Sequence, residues 1–295
     1  MENNTVRISA RNISYDYPDG TSALADINLA VQPGEFIGLL GANGSGKTTL
    51  LKILDGLIRD FKGRVTLDGA DIKRLSAKEI YGKMGMVFQN PDDQLFASTV
   101  FEDVAFGPIN MGFPEAEVKA RVTRALADVE MEGFAKKSIH HLSFGQKKRI
   151  CIAGLLAMGH EVLLLDEPTA GLDPMGEYKM MNLLTKLNRE CRVTIVMATH
   201  SVDLVPIFLD RLYILRQGRI VRGGTPEEVL TAPEEMTQVK LRLPQIAELI
   251  YRLKHEDHIP FRKIPLTIGE ARRELLQMLR PKDRTAAPEN TKPGL

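Results

Sequence analysis

The sequence predicts an α/β protein with a mixed, largely parallel sheet core, an antiparallel β subdomain, a helical insert and a short C-terminal helical extension. Three observations carry this. Short unbroken apolar runs, such as VLLLD at Val162 to Asp166 and VTIVMAT at Val193 to Thr199, have the length and continuity of strands covered on both faces. Helix-period stretches separate several of them, as in parallel strands joined by crossovers. By contrast, VRISARNISYDY near the start and GRVTLDG at Gly63 to Gly69 alternate, and read as antiparallel strands with one solvated face.

In chain order, EFIGLL (Glu35 to Leu40) is a buried strand that runs into GANGSGKTT (Gly41 to Thr49), and TTLLKILDGL leaves as a helix. GMVF (Gly85 to Phe88) is the next buried strand. From about Pro91 to His141 the strand signal stops, while Val118, Val122, Leu126 and Val129 keep helical spacing, so residues 91–141 read as an all-helical insert. KKRICIAGLLAM reads as a helix behind the polar turn LSFGQ (Leu142 to Gln146). The strands at Val162 and Val193 follow, then RLYILRQGRIVRGG, a hairpin turning near Gln217-Gly218. The core and its antiparallel subdomain thus occupy 1–90 and 142–232. An extension covers 233–281, with a short helix expected after Pro244 and another capped near Thr267. The polar, proline-containing stretch 282–295 is expected to be disordered.

Bulk properties narrow the function. The chain has 295 residues, 43% hydrophobic and 26% charged, enough for a sizeable core. A formal net charge of +1 without a basic block argues against nucleic acid as a partner. Cys151 and Cys191 lie outside any CxxC spacing, and both read as buried thiols in a reducing compartment. The apolar runs are strand-length rather than the ~20 residues of a membrane span. MENNTVRISA lacks the apolar stretch of a signal peptide. The expectation is a cytoplasmic protein unless something tethers it.

GANGSGKT fits G-x-x-x-x-G-K-[ST] through Gly41, Gly46, Lys47 and Thr48, between a strand and a helix as the motif requires. Glycines let successive N–H groups point at phosphate oxygens, and the helix N-terminus adds partial positive charge. Lys47 is placed to reach the β- and γ-phosphates, and Thr48 to offer a hydroxyl to Mg²⁺. VLLLDEP ends a strand in Asp166-Glu167 at the carboxyl edge of the sheet, where open α/β folds bind ligands. Neighbours on a strand point to opposite sides, so Asp166 is expected to hold the metal shell and Glu167 to face an attacking water. Gln89 and His200 also follow strands on that edge.

Together GANGSGKTT, the Gln89 loop, LSFGQ, VLLLDEP, AGLDP (Ala170 to Pro174) and His200 resemble the ATP-binding-cassette ATPases, in that family's order, over roughly Val6 to Leu230. The resemblance implies a P-loop NTPase fold of the ABC type, ATP and Mg²⁺ as cofactors, and two cassettes stacked head to tail around the nucleotides. Tyr17 would stack on adenine, with Tyr15 the less favoured choice. Asn43, Gly44, Ser45 and Thr49 complete the phosphate loop. Thr48, Gln89 and Asp166 would serve the metal, and Glu167, His200 and Gln89 catalysis. Ser143, Gly145 and Gln146 of LSFGQ would meet the phosphates held by the second cassette, and Asp173 would communicate across the pair. Phe144 stands where the family more usually has glycine.

Three readings follow: the ATPase of a membrane transporter, a soluble cassette ATPase acting on ribosomes or DNA, and a small-molecule kinase. LSFGQ and His200 weigh against the kinase. A single cassette without heptads weighs against the soluble factor. VFQNPDDQLFASTVFEDVAFGPINMG, LSFGQKKRICIAGLLAM and LRLPQIAELIYRL are similar to the ATPases of energy-coupling-factor importers, those of cobalt transport especially. This implies work for a cobalt or nickel importer, or alternatively a vitamin importer, as a peripheral protein on the cytoplasmic face of the membrane. Its partners would be a transmembrane coupling protein, a substrate-binding component and a second cassette, either identical or paralogous. Gln94, Leu95, Phe96 and Val100 are candidate contacts to the membrane subunit, with core packing the competing reading for the apolar three. Glu102 and Asp103 read as a solvated face or helix start, and His140-His141 as polar surface rather than a metal site.

Overall fold

The computed structural model describes residues 6–231, 236–237 and 241–279, so the tail expected at 282–295 lies outside the described residues. The contacts divide the chain into two compact units, Met1–Leu243 and Pro244–Leu295. The composition shift had placed that boundary at 233.

The first unit opens with β1 (Ile8–Asp16) and β2 (Ser22–Val31), an antiparallel pair. Five fully buried residues, FIGLL, then form β3 (Phe36–Leu40), which feeds α1 (Lys47–Leu54). β4 (Lys62–Leu67) and β5 (Ala70–Asp71) extend the first sheet to the order β2-β1-β4-β5. After α2 (Ala77–Tyr81) comes β6 (Met84–Val87). The insert holds α3 (Val100–Asn110) and α4 (Glu115–Asp128), and an isolated β-bridge joins Thr99 to Ser138. Next come α5 (Phe144–Met158), β7 (Val162–Asp166), α6 (Pro174–Cys191), β8 (Thr194–Thr199) and α7 (Val205–Phe208). The hairpin of β9 (Arg211–Arg216) and β10 (Arg219–Gly224) and the short α8 (Pro226–Val229) end the unit's described elements.

The second sheet runs β10-β9-β3-β8-β7-β6, and every pairing in it is parallel except that of β10. β3, β6, β7 and β8 therefore end on one edge. One apolar cluster joins both sheets to α1, with Ile8, Ile27, Leu50, Leu164 and Val196 among its members, none more than 1% exposed. The alternating strands serve the half-solvated sheet, and the continuous apolar runs serve the doubly covered one.

Within the insert, Val118, Val122 and Leu126 are buried, as their spacing predicts. Glu102 and Asp103 form a helix start. Thr99 and Glu102 make a reciprocal capping box, and the Asp103 carboxylate accepts from the Phe96 and Ala97 N–H groups. Val100 is fully buried as the first residue of α3 and offers no docking surface. One expectation for this region is corrected. The Gln94 amide is turned inward, accepting from Phe88 N and donating to Met86 O. Cys151 is buried as expected, whereas Cys191 is exposed. The face of α6 that meets the sheet ends at Leu187 and Asn188, and the cysteine lies beyond it.

The second unit holds α9 (Gln245–His255) and α10 (Ile268–Leu279), with Ile250, Phe261 and Ala271 as its own small core. The Thr267 hydroxyl accepts from Glu270 N, the cap its sequence predicts.

One buried group works against the fold. Asp55, at the end of α1, is 4% exposed, and its Oδ1 has no partner. Burial pushes its carboxyl up to about 8. A folded-state value above the unfolded one means its contribution is complete below about pH 4 and is lost as pH rises towards 8. Asp55→Asn removes that titration. Thermal melts should therefore show the variant gaining stability over the native protein as pH rises from 5 to 8, by roughly 2–4 °C for each kcal/mol. An equal difference at both pH values would contradict the buried carboxyl's role.

Candidate functional site

The phosphate loop is shaped by two close approaches. Gly46 lies at φ 105°, and a Cβ there would sit 2.7 Å from Leu24 Cδ2 and 2.8 Å from Ala23 O. A Cβ on Gly41 would sit 2.5 Å from both Leu215 O and Ser45 Oγ. No side chain fits either place, which explains the two glycines. Asn43 and Gly44 are exposed at the tip, and Ser45 N donates to Ala42 O across it. Lys47 is buried and folds back over the loop, its Nζ donating to Gly41 O at 2.8 Å and Ala42 O at 3.3 Å. The loop thus sets the N-terminus of α1 beside a lysine, an arrangement suited to receive phosphate.

Two carboxylates face this loop from β7. Asp166 Oδ2 accepts from the Thr48 hydroxyl at 2.7 Å, while its Oδ1 is buried without a partner. Burial raises the Asp166 carboxyl above its usual range, against the opposing effect of the Thr48 hydrogen bond. Glu167 Oε1 lies 3.6 Å from Lys47 Nζ and 3.0 Å from His200 Nδ1, yet neither carboxylate oxygen has an aligned hydrogen-bond partner. The expectation that strand alternation separates the two acids is corrected here. Glu167 lies past the strand end at φ 50°, and this left-handed turn brings it to the same cleft as Asp166.

The cleft, about 440 Å³, is lined by Tyr17, Asn43 to Thr49, Gln89, Asp166 and Glu167, together with Thr21 to Ala23. His200 is exposed at its edge, against Glu167. Tyr17 donates to or accepts from Thr49 Oγ1 at 2.9 Å, and Tyr15, edge-on to it at 5.1 Å, packs on the core instead. Ser143, Gly145, Gln146 and Asp173 are not in this cleft. They line a separate cavity of about 800 Å³ with Phe144. Ser143 caps α5, its Oγ accepting from Gln146 N while Gln146 Oε1 accepts from Ser143 N. Asp173 caps α6 through Gly176 N. His140 and His141 are exposed on a single-turn helix, and no cluster of three or more His, Cys, Asp or Glu side chains placed to hold a metal ion occurs among the described residues.

The family described as "ABC transporter" matches residues 24–170. A putative ABC transporter ATP-binding protein of Geobacter sulfurreducens is 72% identical over 93% of the chain and 98% of its own length. The energy-coupling factor transporter ATP-binding protein EcfA of Methanocaldococcus jannaschii is 50% identical over 93% and 99%. Among solved structures, cbiO1 from Clostridium perfringens, described as part of the ABC transporter complex cbiONQ, superposes with a TM-score of 0.73. It shares 42% identity and covers 84% of this chain and 99% of its own.

Two contributors escaped the sequence reading. Lys148 on α5 donates to Glu167 O at 2.7 Å from a position 1% exposed. Gly218, in the β9–β10 turn, donates its N–H to Ser45 O and accepts from Ala25 N, bracing the phosphate loop from outside. The hairpin was legible from its turn residues, but its contact with the loop was not. A Cβ on Gly218 would lie 2.5 Å from Ala23 O, whereas Gly44 has open space around it at a similar φ of 77°. Gly44→Ala should therefore cost only the left-handed penalty of about 1–2 kcal/mol, and Gly218→Ala clearly more. Melting both variants checks the order, and equal losses would mean that the turn does not brace the loop.

Proposed function

The chain belongs to the ATP-binding-cassette transporter ATPases of the energy-coupling-factor type, and on that premise we propose that it energises a cobalt or nickel importer as one half of a head-to-tail cassette pair. Hydrolysis of ATP is the activity of the family. The observation that carries the paired reading is the division of the site between two cavities. The nucleotide cleft holds the phosphate loop and both carboxylates, while Ser143, Gly145, Gln146 and Asp173 line another. A nucleotide in the first would need a second chain to bring the other set to its γ-phosphate.

Each side chain then has a part. Tyr17 would stack on adenine at the open end of the cleft. Gly41 to Thr49 would enclose the phosphates, with Lys47 leaving its carbonyl acceptors for the anion. The buried, unpartnered Oδ1 of Asp166 and the Thr48 hydroxyl on its Oδ2 fit a divalent cation, with Gln89 on the same cleft as a third donor. When bound, Mg²⁺ would offset phosphate charge. Glu167, whose oxygens lack aligned partners, would orient and deprotonate the attacking water, and His200 would reach the γ-phosphate beside it. ATP would favour the closed pair because only there are both sets of contacts made.

Exposed apolar side chains support a membrane-subunit partner. Phe96 and Phe106 stack edge-on at 4.6 Å, and they and Ile109 are 49–66% exposed. No described helix is long and apolar enough to cross a membrane, so the reading requires separate spanning chains and a peripheral place on the cytoplasmic face. The cobalt or nickel cargo is supported by the resemblance of the 87–112 and 142–158 segments to cobalt-transport ATPases and by the likeness to cbiO1.

Glu167→Gln is expected to lower ATP turnover about a hundredfold or more, on the order of 3 kcal/mol, with nucleotide binding kept. The same variant should give an ATP-dependent dimer by light scattering. A variant that stays monomeric at saturating ATP, with no paralogue present, would count against self-pairing. Phe96→Asp with Phe106→Asp should lose integral-membrane subunits from a detergent pull-down while the native chain retains them. Metal analysis of the native complex tests the cargo, since a bound vitamin and no cobalt or nickel would overturn that part.

A further inference from the structure

Three consecutive cations at the start of α5 face three different partners. Lys147 Nζ lies 2.6 Å from Asp92 in the segment after Gln89, and Arg149 reaches Val129 O and Glu130 in the insert. Lys148 points inward. It is 1% exposed, and its Nζ donates to two backbone carbonyls, Glu167 O at 2.7 Å and Ala170 O at 2.8 Å. Burying an ammonium against neutral acceptors is costly, so a hydrophobic residue would be the default there. Its burial also lowers its pKa to about 8.

The loop it grips is the one that aims the catalytic carboxylate. Glu167 sits at φ 50°, a conformation that non-glycine residues rarely hold without support. Its N–H is fixed to Ala198 O and its carbonyl receives Ala170 N as well as Lys148 Nζ, so the peptide is pinned on both sides. Phe144 adds to the grip. A Cβ on Gly171 would lie 3.0 Å from its ring, and Lys148 Nζ is 5.1 Å from the ring centre. We propose that Lys148 is a positioning residue for hydrolysis. From the helix that LSFGQ opens, it holds the Glu167 backbone in the left-handed turn that directs the carboxylate at the nucleotide cleft of the same chain. This rests on the reading of Glu167 as the group that activates water.

The test compares near-isosteric replacements, Lys148→Met and Lys148→Gln, of which only the second keeps N–H donors. In the full-length chain, steady-state ATPase and equilibrium ATP binding are measured for each, alone and combined with Glu167→Gln. Lys148→Met should lower kcat about tenfold or more, with Lys148→Gln in between and ATP affinity unchanged within about twofold. The Glu167→Gln residual rate should fall no further when Lys148→Met is added, because a residue acting through Glu167 has nothing left to position. Lys148→Gln keeps the buried donors, so the ordering can be read even if Lys148→Met is poorly folded. Then Lys148→Gln at native kcat would overturn the inference. Equal kcat for the two variants would also overturn it, as would an additive loss in the double variant. A fully active Glu167→Gln overturns the carboxylate reading itself, whereas an inactive one beside a fully active Lys148→Met overturns this inference alone.

Discussion

Parallel pairing of β3, β8, β7 and β6 forces the carboxyl ends of all four strands onto one edge of the sheet. The loops at that edge of the site follow from that constraint. Leu40 leads into the phosphate loop, Val87 into Gln89, and Asp166 into Glu167, while Thr199 is followed by His200. Four segments far apart in the chain are thereby delivered to one cleft without a dedicated binding domain, as open parallel sheets do. The Thr48–Asp166 hydrogen bond then joins the start of α1 to the end of β7, fixing the loop to the strand beside it.

The LSFGQ turn lies outside that cleft, on a separate cavity. The Ser143 hydroxyl caps α5 by accepting from Gln146 N, which leaves its own O–H free to donate outward. Cap and anion contact are therefore compatible in one residue. The helix N-terminus lies on the cavity lined by Phe144 and Asp173, where its partial positive charge favours an anion. Phe144 in place of glycine leaves Gly145 unchanged and packs on the following loop at Gly171.

Local chemistry was legible in the sequence, and long-range contact was not. The phosphate loop could be read because a glycine turn, a lysine and a hydroxyl all act within a few residues of one helix start. The doubly covered strands could be read because burial on both faces removes alternation. The Asp166–Glu167 pair was legible as two acids at a strand end, but alternation does not give their directions, because it holds only inside a strand and the strand ends at Asp166. Cys191 was misjudged because helical spacing does not say where the sheet beneath a helix stops. Lys148 and Gly218 gave no signal, since a lysine after a polar turn and a glycine in a hairpin look ordinary until their partners are in place.

The three cations of α5 differ in what it takes to break them, and that difference sets an order. Lys147–Asp92 has an exposed carboxylate, and such pairs contribute about 0–1 kcal/mol. Lys148 is buried, and freeing it would strand two carbonyls and an ammonium, at a cost of several kcal/mol. Lys148 therefore ties α5 to the Glu167 loop more firmly than Lys147 ties it to Asp92. The helix that LSFGQ opens and the loop that carries the Glu167 carboxylate are thereby joined through one buried lysine.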